Sequence, residues 1–310
     1  MVEKLKKRKF TKAWPYFFLS PYFLAYLTFS FFPILYTLYL SFTDWDGISE
    51  ANFIGVKNYV QIFTNDPYFF KALFNTVVLM AIYIPLMLII GMLLATALYS
   101  EKLPFKKFFQ LGNFLPYITV PVAVGIIFSL LFDYRTGLIN RALIQLGLSD
   151  QGIDWLGGDP VITRAVMILL VVWQNSGYFM VIYLAGMSSI SKDVYEAAKV
   201  DGSSTVNTFF KITVPMLKPV TLFLVITGMI NGLQLFDQPM LLISGGASNN
   251  TIMAGGPDRT LLTVMWYFYD KTFGTGMDYG YGSAISYSLF VFIAVFCFLY
   301  FKFMNRREEQ

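Results

Sequence analysis

The sequence predicts an all-α integral membrane protein with six transmembrane helices, and three observations carry that prediction. Apolar runs on the order of 20 residues recur along the chain, the length an α-helix needs to cross ~30 Å of hydrocarbon. Of the 310 residues, 56% are hydrophobic and 18% aromatic while only 14% are charged, where a soluble domain carries about a quarter charged. The basic residues are also segregated: 16 of the 23 lysines and arginines fall in the first twelve residues, in 100–108, in 191–218 and in the last nine.

In chain order the spans are read over roughly 14–42, 73–99, 109–132, 161–190, 216–236 and 281–304. The first follows the basic stretch "MVEKLKKRKFTK". It exceeds the apolar core of a signal peptide and ends in no A-x-A-like site, so it reads as an anchor. Its prolines, Pro21 and Pro33, predict a surface-lying elbow before the true span, because proline interrupts the helical hydrogen-bond ladder. The second and third spans carry "ALFNTVVLM" and "LPYITVPVAVGIIFSLLFD", the fourth holds a polar cluster at its midpoint, and the sixth contains the single cysteine, Cys297, a small apolar residue there. Short cytoplasmic loops carry an excess of lysine and arginine. The charge distribution therefore places both ends, residues 1–13 and 305–310, and the 191–218 segment in the cytoplasm. The net charge of +4 matches basic residues at the inner face of an anionic bilayer and calls for no nucleic acid.

Absences narrow the function. With no histidine there is no H-E-x-x-H metal site and no Ser-His-Asp triad. Neither G-x-x-x-x-G-K-[ST] nor G-x-S-x-G occurs, so no nucleotide-binding loop, catalytic residue, metal or cofactor is expected on this chain. Ionisable residues inside spans usually mark ion pathways. Here Arg164, Lys218 and Asp237 fall near span ends, which argues against an ion-coupled carrier, and uncharged hydrogen-bonding groups dot the spans instead. Thr227, Asn231 and Gln234 recur at i, i+4 and i+7 on one helical stripe, and Trp173, Gln174, Asn175 and Tyr178 cluster in the fourth span. Such groups serve either as helix glue, worth about 0.6 to 2 kcal/mol each, or as the wall of a path for a polar solute.

The stretch "YEAAKVDGSSTVNTFFKITVPMLKP" is polar and helix-forming between two apolar spans. Asp193 and Glu196 read as an N-cap and capping-box pair. Gly202 reads as a left-handed stop, and Ser203 or Ser204 as the cap of a second helix running to Pro215, where the next span begins. Ala197 and Ala198 give the first helix little bulk, so a partner surface could approach it, with Glu196 and Asp201 free to pair. On the residues alone, a docking helix and a well-capped solvated loop fit equally.

The spacing of Glu196-Ala197-Ala198, Gly202, Ile212 and Val214-Pro215 resembles the E-A-A…G…I-x-L-P loop of ABC importer permeases, with Val214 where that family usually has leucine. "PILYTLYLSFTDWDG", "FIGVKNYVQIF", "LQLFDQPMLL" and "GGPDRTLLTVMWYFYD" extend the likeness over nearly the whole chain, to maltose-type carbohydrate permeases and more narrowly to the first of their two dissimilar subunits. The resemblance implies a type I permease core with a cytoplasmic coupling helix in the 191–215 loop, in the cytoplasmic membrane of a bacterial-type cell. Glu196, Ala197, Ala198, Asp201, Gly202, Ile212 and Pro215 would couple to the ATPase. Trp173, Tyr178 and Asn231 would contact the sugar, with Gln174, Asn175, Thr227 and Gln234 beside them. Implied partners are a second homologous permease, two ATPase subunits that bind ATP and Mg, an extracytoplasmic solute-binding protein and a sugar or oligosaccharide. Another polar cargo, such as glycerol phosphate, is the alternative. The Ser244–Ala254 segment is longer than the likeness leads one to expect.

Overall fold

In a computed structural model, which describes residues 2–99, 103–245, 253–274 and 276–305, the chain is built from helices. Among those residues the only β contact is an isolated antiparallel bridge between Thr43 and Phe53. The helices are α1 (Val2–Tyr26), a π-helical turn (Leu27–Phe31), α2 (Phe32–Leu40), α3 (Lys57–Thr64), α4 (Pro67–Tyr99), α5 (Lys106–Ile118), α6 (Pro121–Leu131), α7 (Leu138–Gln145) and α8 (Pro160–Ser188). There follow α9 (Lys192–Val200), α10 (Thr205–Thr208), a second π-helical turn (Phe209–Thr213), α11 (Val214–Met216), α12 (Lys218–Leu233), α13 (Asp237–Ser244), α14 (Val264–Phe273) and α15 (Tyr279–Asn305). Four of the described helical stretches are long and apolar enough to cross a membrane, and six if each of two bent pairs is one span.

Local chemistry sets several of these boundaries. Two Asp-Pro pairs start the long central helices, since proline at the first helical position forfeits only an N–H that would be orphaned there anyway. Asp159 accepts from the Val161 N–H at 2.6 Å to open α8. Asp66 accepts from the N–H groups of Tyr68 and Phe69 and from the Tyr267 hydroxyl, at 2.9, 3.2 and 2.5 Å, to open α4.

Three spans differ from the sequence expectation. No elbow separates a surface segment from the first span: the helix runs from Val2 to Leu40, and the π turn at Leu27–Phe31 takes up the irregularity just before Pro33. The third span is two helices, α5 and α6, turned by 94°. Pro121 disfavours helical geometry at Val120, which is extended at ψ 126°, so the ladder breaks there. The fifth span does not continue straight from Pro215. The helix through Met216 bends by 63° at Leu217, and α12 then unwinds at Gln234–Phe236 before α13 begins.

The chain divides into two compact units, Met1–Asn65 with Phe268–Phe290, and Asp66–Tyr267 with Val291–Gln310. In the first, the Asn58 amide donates to the carbonyls of Ser41 and Thr43 at 3.0 and 2.8 Å, pinning α3 under the end of α2. Trp45 packs on Tyr279 at 5.4 Å, and the Tyr287 hydroxyl donates to the Ile34 carbonyl. The loop between α2 and α3 is tied by Asp46. Its carboxylate accepts the backbone N–H of Ser49 (2.7 Å), that of Ile48 (2.9 Å) and the Ser49 hydroxyl (2.7 Å), which lowers its pKa to about 2.

In the second unit α8 is the central element: 56% of its apolar window is buried, and α4 and α5 pack along it. Here α12 lies on α4, and α6 pairs with α13. Gly177 permits the closest of these approaches, since a Cβ built on it would stand 1.9 Å from the Asn113 carbonyl oxygen of α5. Small residues let membrane helices touch backbone to backbone. The expected long loop over Ser244–Ala254 falls largely on 246–252, outside the described residues.

Candidate functional site

The second unit holds a cavity of about 150 Å³ between α4, α5, α8, α12 and the unwound segment that follows α12. Of the residues expected on a solute path, Asn175, Tyr178, Thr227, Asn231 and Gln234 line it. The stripe on α12 holds as drawn from the sequence, because i, i+4 and i+7 share a helical face. The cluster on α8 does not. Residues 173 to 178 wind through more than a full turn, so they cannot share one face. Asn175 and Tyr178 turn to the cavity, whereas Trp173 is 48% exposed and packs on Phe128 of α6 at 5.5 Å, off the cavity wall. Gln174 is buried and accepts from the Gln238 amide at 3.2 Å, holding a wall residue without lining the cavity itself.

Four further wall residues with polar side chains are Tyr83, Tyr117, Asp237 and Gln238. Tyr117 stacks on Tyr178, ring centroids 4.7 Å apart at 18°, across the contact that Gly177 opens. Asp237 and Gln238 line the cavity just after the chain leaves helical geometry at Gln234–Phe236, where the Leu235 carbonyl accepts from Thr263 Oγ1 at 2.7 Å. Non-helical backbone at membrane depth is tolerated where it is buried in protein or lines a cavity. A signal was in the sequence: Gln234, Asp237 and Gln238 stand at i, i+3 and i+4 within "LQLFDQPMLL", a spacing that continues the Thr227, Asn231 and Gln234 stripe.

The polar groups of this wall are partly prepaid and partly free. The Asn175 amide donates to the Val171 carbonyl at 2.9 Å, and the Thr227 hydroxyl to the Phe223 carbonyl at 2.9 Å, so both offer acceptor lone pairs to the cavity. The side chains of Asn231 and Gln234 are exposed and make no hydrogen bond among the described residues, leaving amide donors and acceptors open. Flat aromatic faces with a few uncommitted amides make a site for a polar ring compound.

A second region is the connection from α8 to α12. Ser191, rather than Asp193, caps α9: its hydroxyl oxygen accepts from the Asp193 N–H at 3.3 Å, so the helix begins at Lys192. A serine oxygen two residues before the N–H fills the cap that the Asp193–Glu196 pair was expected to make. Gly202 does stop the helix, at φ +72°, with its N–H bonded to the Lys199 carbonyl (3.1 Å) and the Ser203 N–H to the Ala198 carbonyl (2.9 Å). Ser204 caps the next helix through the Asn207 N–H.

The two alanines part company. Ala198 is buried, while Ala197 is exposed beside Glu196 and Asp201. Tyr195 anchors the inner face, its ring 6.1 Å from Tyr99 and its hydroxyl 3.4 Å from Thr213 Oγ1. Ile212 is half-buried and Pro215 exposed. On the outer face Val200, Val206 and Phe210 are 88%, 65% and 65% exposed. This surface is small, partly apolar and flanked by carboxylates.

The comparisons agree with this architecture. Residues 9–306 match the family described as binding-protein-dependent transport system inner membrane component. The chain is 35% identical over 291 residues to the lactose transport system permease protein LacF of Rhizobium radiobacter, covering 94% of each chain. It is 33% identical over 288 residues to the arabinooligosaccharides transport system permease protein AraP of Bacillus subtilis, covering 92% of this chain and 86% of that one. A solved bacterial ABC transporter involved in the import of the acidic polysaccharide alginate shares the fold at a TM-score of 0.82 and 22% identity, over 97% of this chain and 98% of that one. With a whole-length family match joined to a helical membrane architecture broken at two spans, the chain belongs to the binding-protein-dependent transport system inner membrane components and is a multi-pass permease subunit of that family.

Proposed function

We propose that this chain is one of two permease subunits of an ABC importer that moves a sugar or oligosaccharide into the cytoplasm. The observation that carries the reading is the cavity wall of Tyr117, Tyr178, Asn231 and Gln234: stacked rings for the apolar faces of a pyranose, and open amides for its hydroxyls. The relatives named for lactose and arabinooligosaccharides support that class of cargo. A volume of about 150 Å³ is below the ~300–1,000 Å³ of an ordinary ligand cavity, which suits half a site completed by a second, similar permease chain.

In this reading α9 and its Gly202 stop form the coupling element. The exposed patch of Glu196, Ala197 and Asp201, with the half-buried Ile212, docks on a separate ATPase subunit, where ATP and Mg are bound. This chain does not hydrolyse ATP alone. A ligand shifts a conformational equilibrium only by binding the two states differently, so closure of the ATPase pair must grip α9 in a geometry the open pair does not offer. The α9–α12 connection and both termini face the cytoplasm, and a solute-binding protein delivers cargo on the opposite side.

The test is co-expression with the second permease, the ATPase and the binding protein, followed by purification and uptake of radiolabelled neutral sugars into proteoliposomes. The expected result is ATP-dependent uptake, impaired by Tyr178→Ala, with no ATP hydrolysis by the isolated chain. ATP turnover by the isolated chain, or uptake driven by a proton or sodium gradient alone, overturns the reading.

A further inference from the structure

Among the described residues the cavity wall carries one charged side chain, Asp237, and no lysine or arginine lines it. Asp237 sits in the first turn of α13, where a carboxylate is favoured by the helix dipole. Its side chain is exposed and makes no hydrogen bond or ion pair among the described residues. The cation nearest in sequence on α8, Arg164, is committed elsewhere: its Nη2 donates to Asn75 Oδ1 at 3.1 Å. It lies eleven residues before Asn175, about 16 Å along the helix axis. Asn75 in turn donates to the carbonyls of Arg259 and Leu262, so that guanidinium is tied to the loop before α14.

We infer that Asp237 is a charge filter that makes this cavity select uncharged saccharides over those bearing a carboxylate or sulfonate. The inference rests on the sugar-site reading above and sharpens it to a substrate class. An anionic ring placed on the Tyr117–Tyr178 pair would bring a second negative charge close to Asp237, with no cation in this chain's half of the wall to offset it. Two like charges within several ångströms in a partly desolvated site repel strongly enough to change affinity by about tenfold or more. A neutral ring meets no such repulsion and can use the carboxylate oxygens as hydrogen-bond acceptors for its hydroxyls, which charge assistance makes stronger than neutral pairs. The same wall in a permease for acidic glycans would need a basic side chain or a neutral one at this position.

The test uses the complex of permease and ATPase subunits held in nanodiscs, without the solute-binding protein, so that only the permease's own preference is read. Equilibrium dialysis is run against tritiated neutral disaccharides, lactose and maltose, and against the uronate made from each by oxidising one C6. Wild-type complex should retain a neutral disaccharide at least about tenfold better than its uronate at low salt. The ratio should fall below about threefold in Asp237→Asn, persist in Asp237→Glu, and shrink in wild type at about 1 M salt, where the screening length is only ~3 Å. A ratio in Asp237→Asn equal to wild type, with neutral sugar still bound, overturns the filter and leaves the sugar site standing. Equal retention of every sugar by wild type and by Tyr178→Ala overturns the sugar site itself, and the filter with it.

Discussion

Tyr178 and Asn231 face a cavity, Trp173 faces a neighbouring ring, and that difference separates residues that a spacing argument alone had grouped. Asn231→Ala removes uncommitted hydrogen-bonding groups, each worth about 0.5–1.5 kcal/mol, so the KM for sugar uptake should rise by up to about tenfold with normal assembly. Trp173→Ala should instead lower the melting temperature by loosening the α6–α8 contact and leave KM near the parent's; an increased KM with unchanged stability would return Trp173 to the solute path. Gly202 is held at φ +72° with open space around its Cβ position, so the cost of Gly202→Val is backbone strain and not a clash. It should exceed the roughly 1 kcal/mol of an ordinary glycine replacement and appear as faster amide exchange confined to α9. Asp46 gives a pH prediction. Its carboxylate has a depressed pKa of about 2 in the fold, so the stability it lends is present above its unfolded pKa and is lost only as pH falls through about 2. Exchange protection of the Ile48 and Ser49 amides should therefore hold from pH 7 down to pH 4, and early loss of protection near pH 5 would contradict the assignment.

Among the elements, the α5–α8 crossing decides whether the stacked tyrosines meet. Because a Cβ at Gly177 would collide with the α5 backbone, Gly177→Ala must push the helices apart. Overpacking of this kind costs about 1–3 kcal/mol. The variant should be less stable and should bind sugar more weakly than Gly112→Ala on α5, whose Cβ position is open. Equal melting temperatures for the two variants would show that the crossing is looser than described. The break at Val120–Pro121 and the unwinding at Gln234–Phe236 act at the same scale, since each ends one helix early and aims the next. The second places Asp237 and Gln238 in the first turn of α13, where both line the cavity.

At the scale of the whole molecule, the proposed orientation rests on the distribution of lysine and arginine, and the proposed assembly on the exposed face of α9. A cysteine at Ser203, introduced with Cys297 replaced by serine, should resist an impermeant thiol reagent added outside intact cells and react once the membrane is opened. Labelling of intact cells would invert the proposed topology. Glu196→Lys reverses a charge on the exposed face of α9, and disrupting a charged contact of this kind costs about 2 to 5 kcal/mol of binding. The variant should insert in the membrane normally yet lose the ATPase subunit on affinity purification. Retention of ATPase and normal uptake together would mean that nothing docks on this face.

By itself the sequence determined the helical membrane class, the α12 stripe and the Gly202 stop. These depend on hydropathy over some twenty residues, on a fixed angular step per residue, and on the backbone freedom of one glycine, all of which are local. It also carried the family, because the spacing from Glu196 to Pro215 is a linear pattern. What it did not determine was which side of α8 meets the cavity. Trp173 and Tyr178 are both amphipathic aromatics in the middle of α8, and packing against α5 and α6 distinguishes them. Nor could hydropathy show that the third and fifth spans are broken, since a bent apolar segment averages to the same value as a straight one. The cavity's charge was hidden too: Asp237 reads as a span-end residue along the chain, and only the packing of α4, α5, α8 and α12 around it makes it part of a cavity wall.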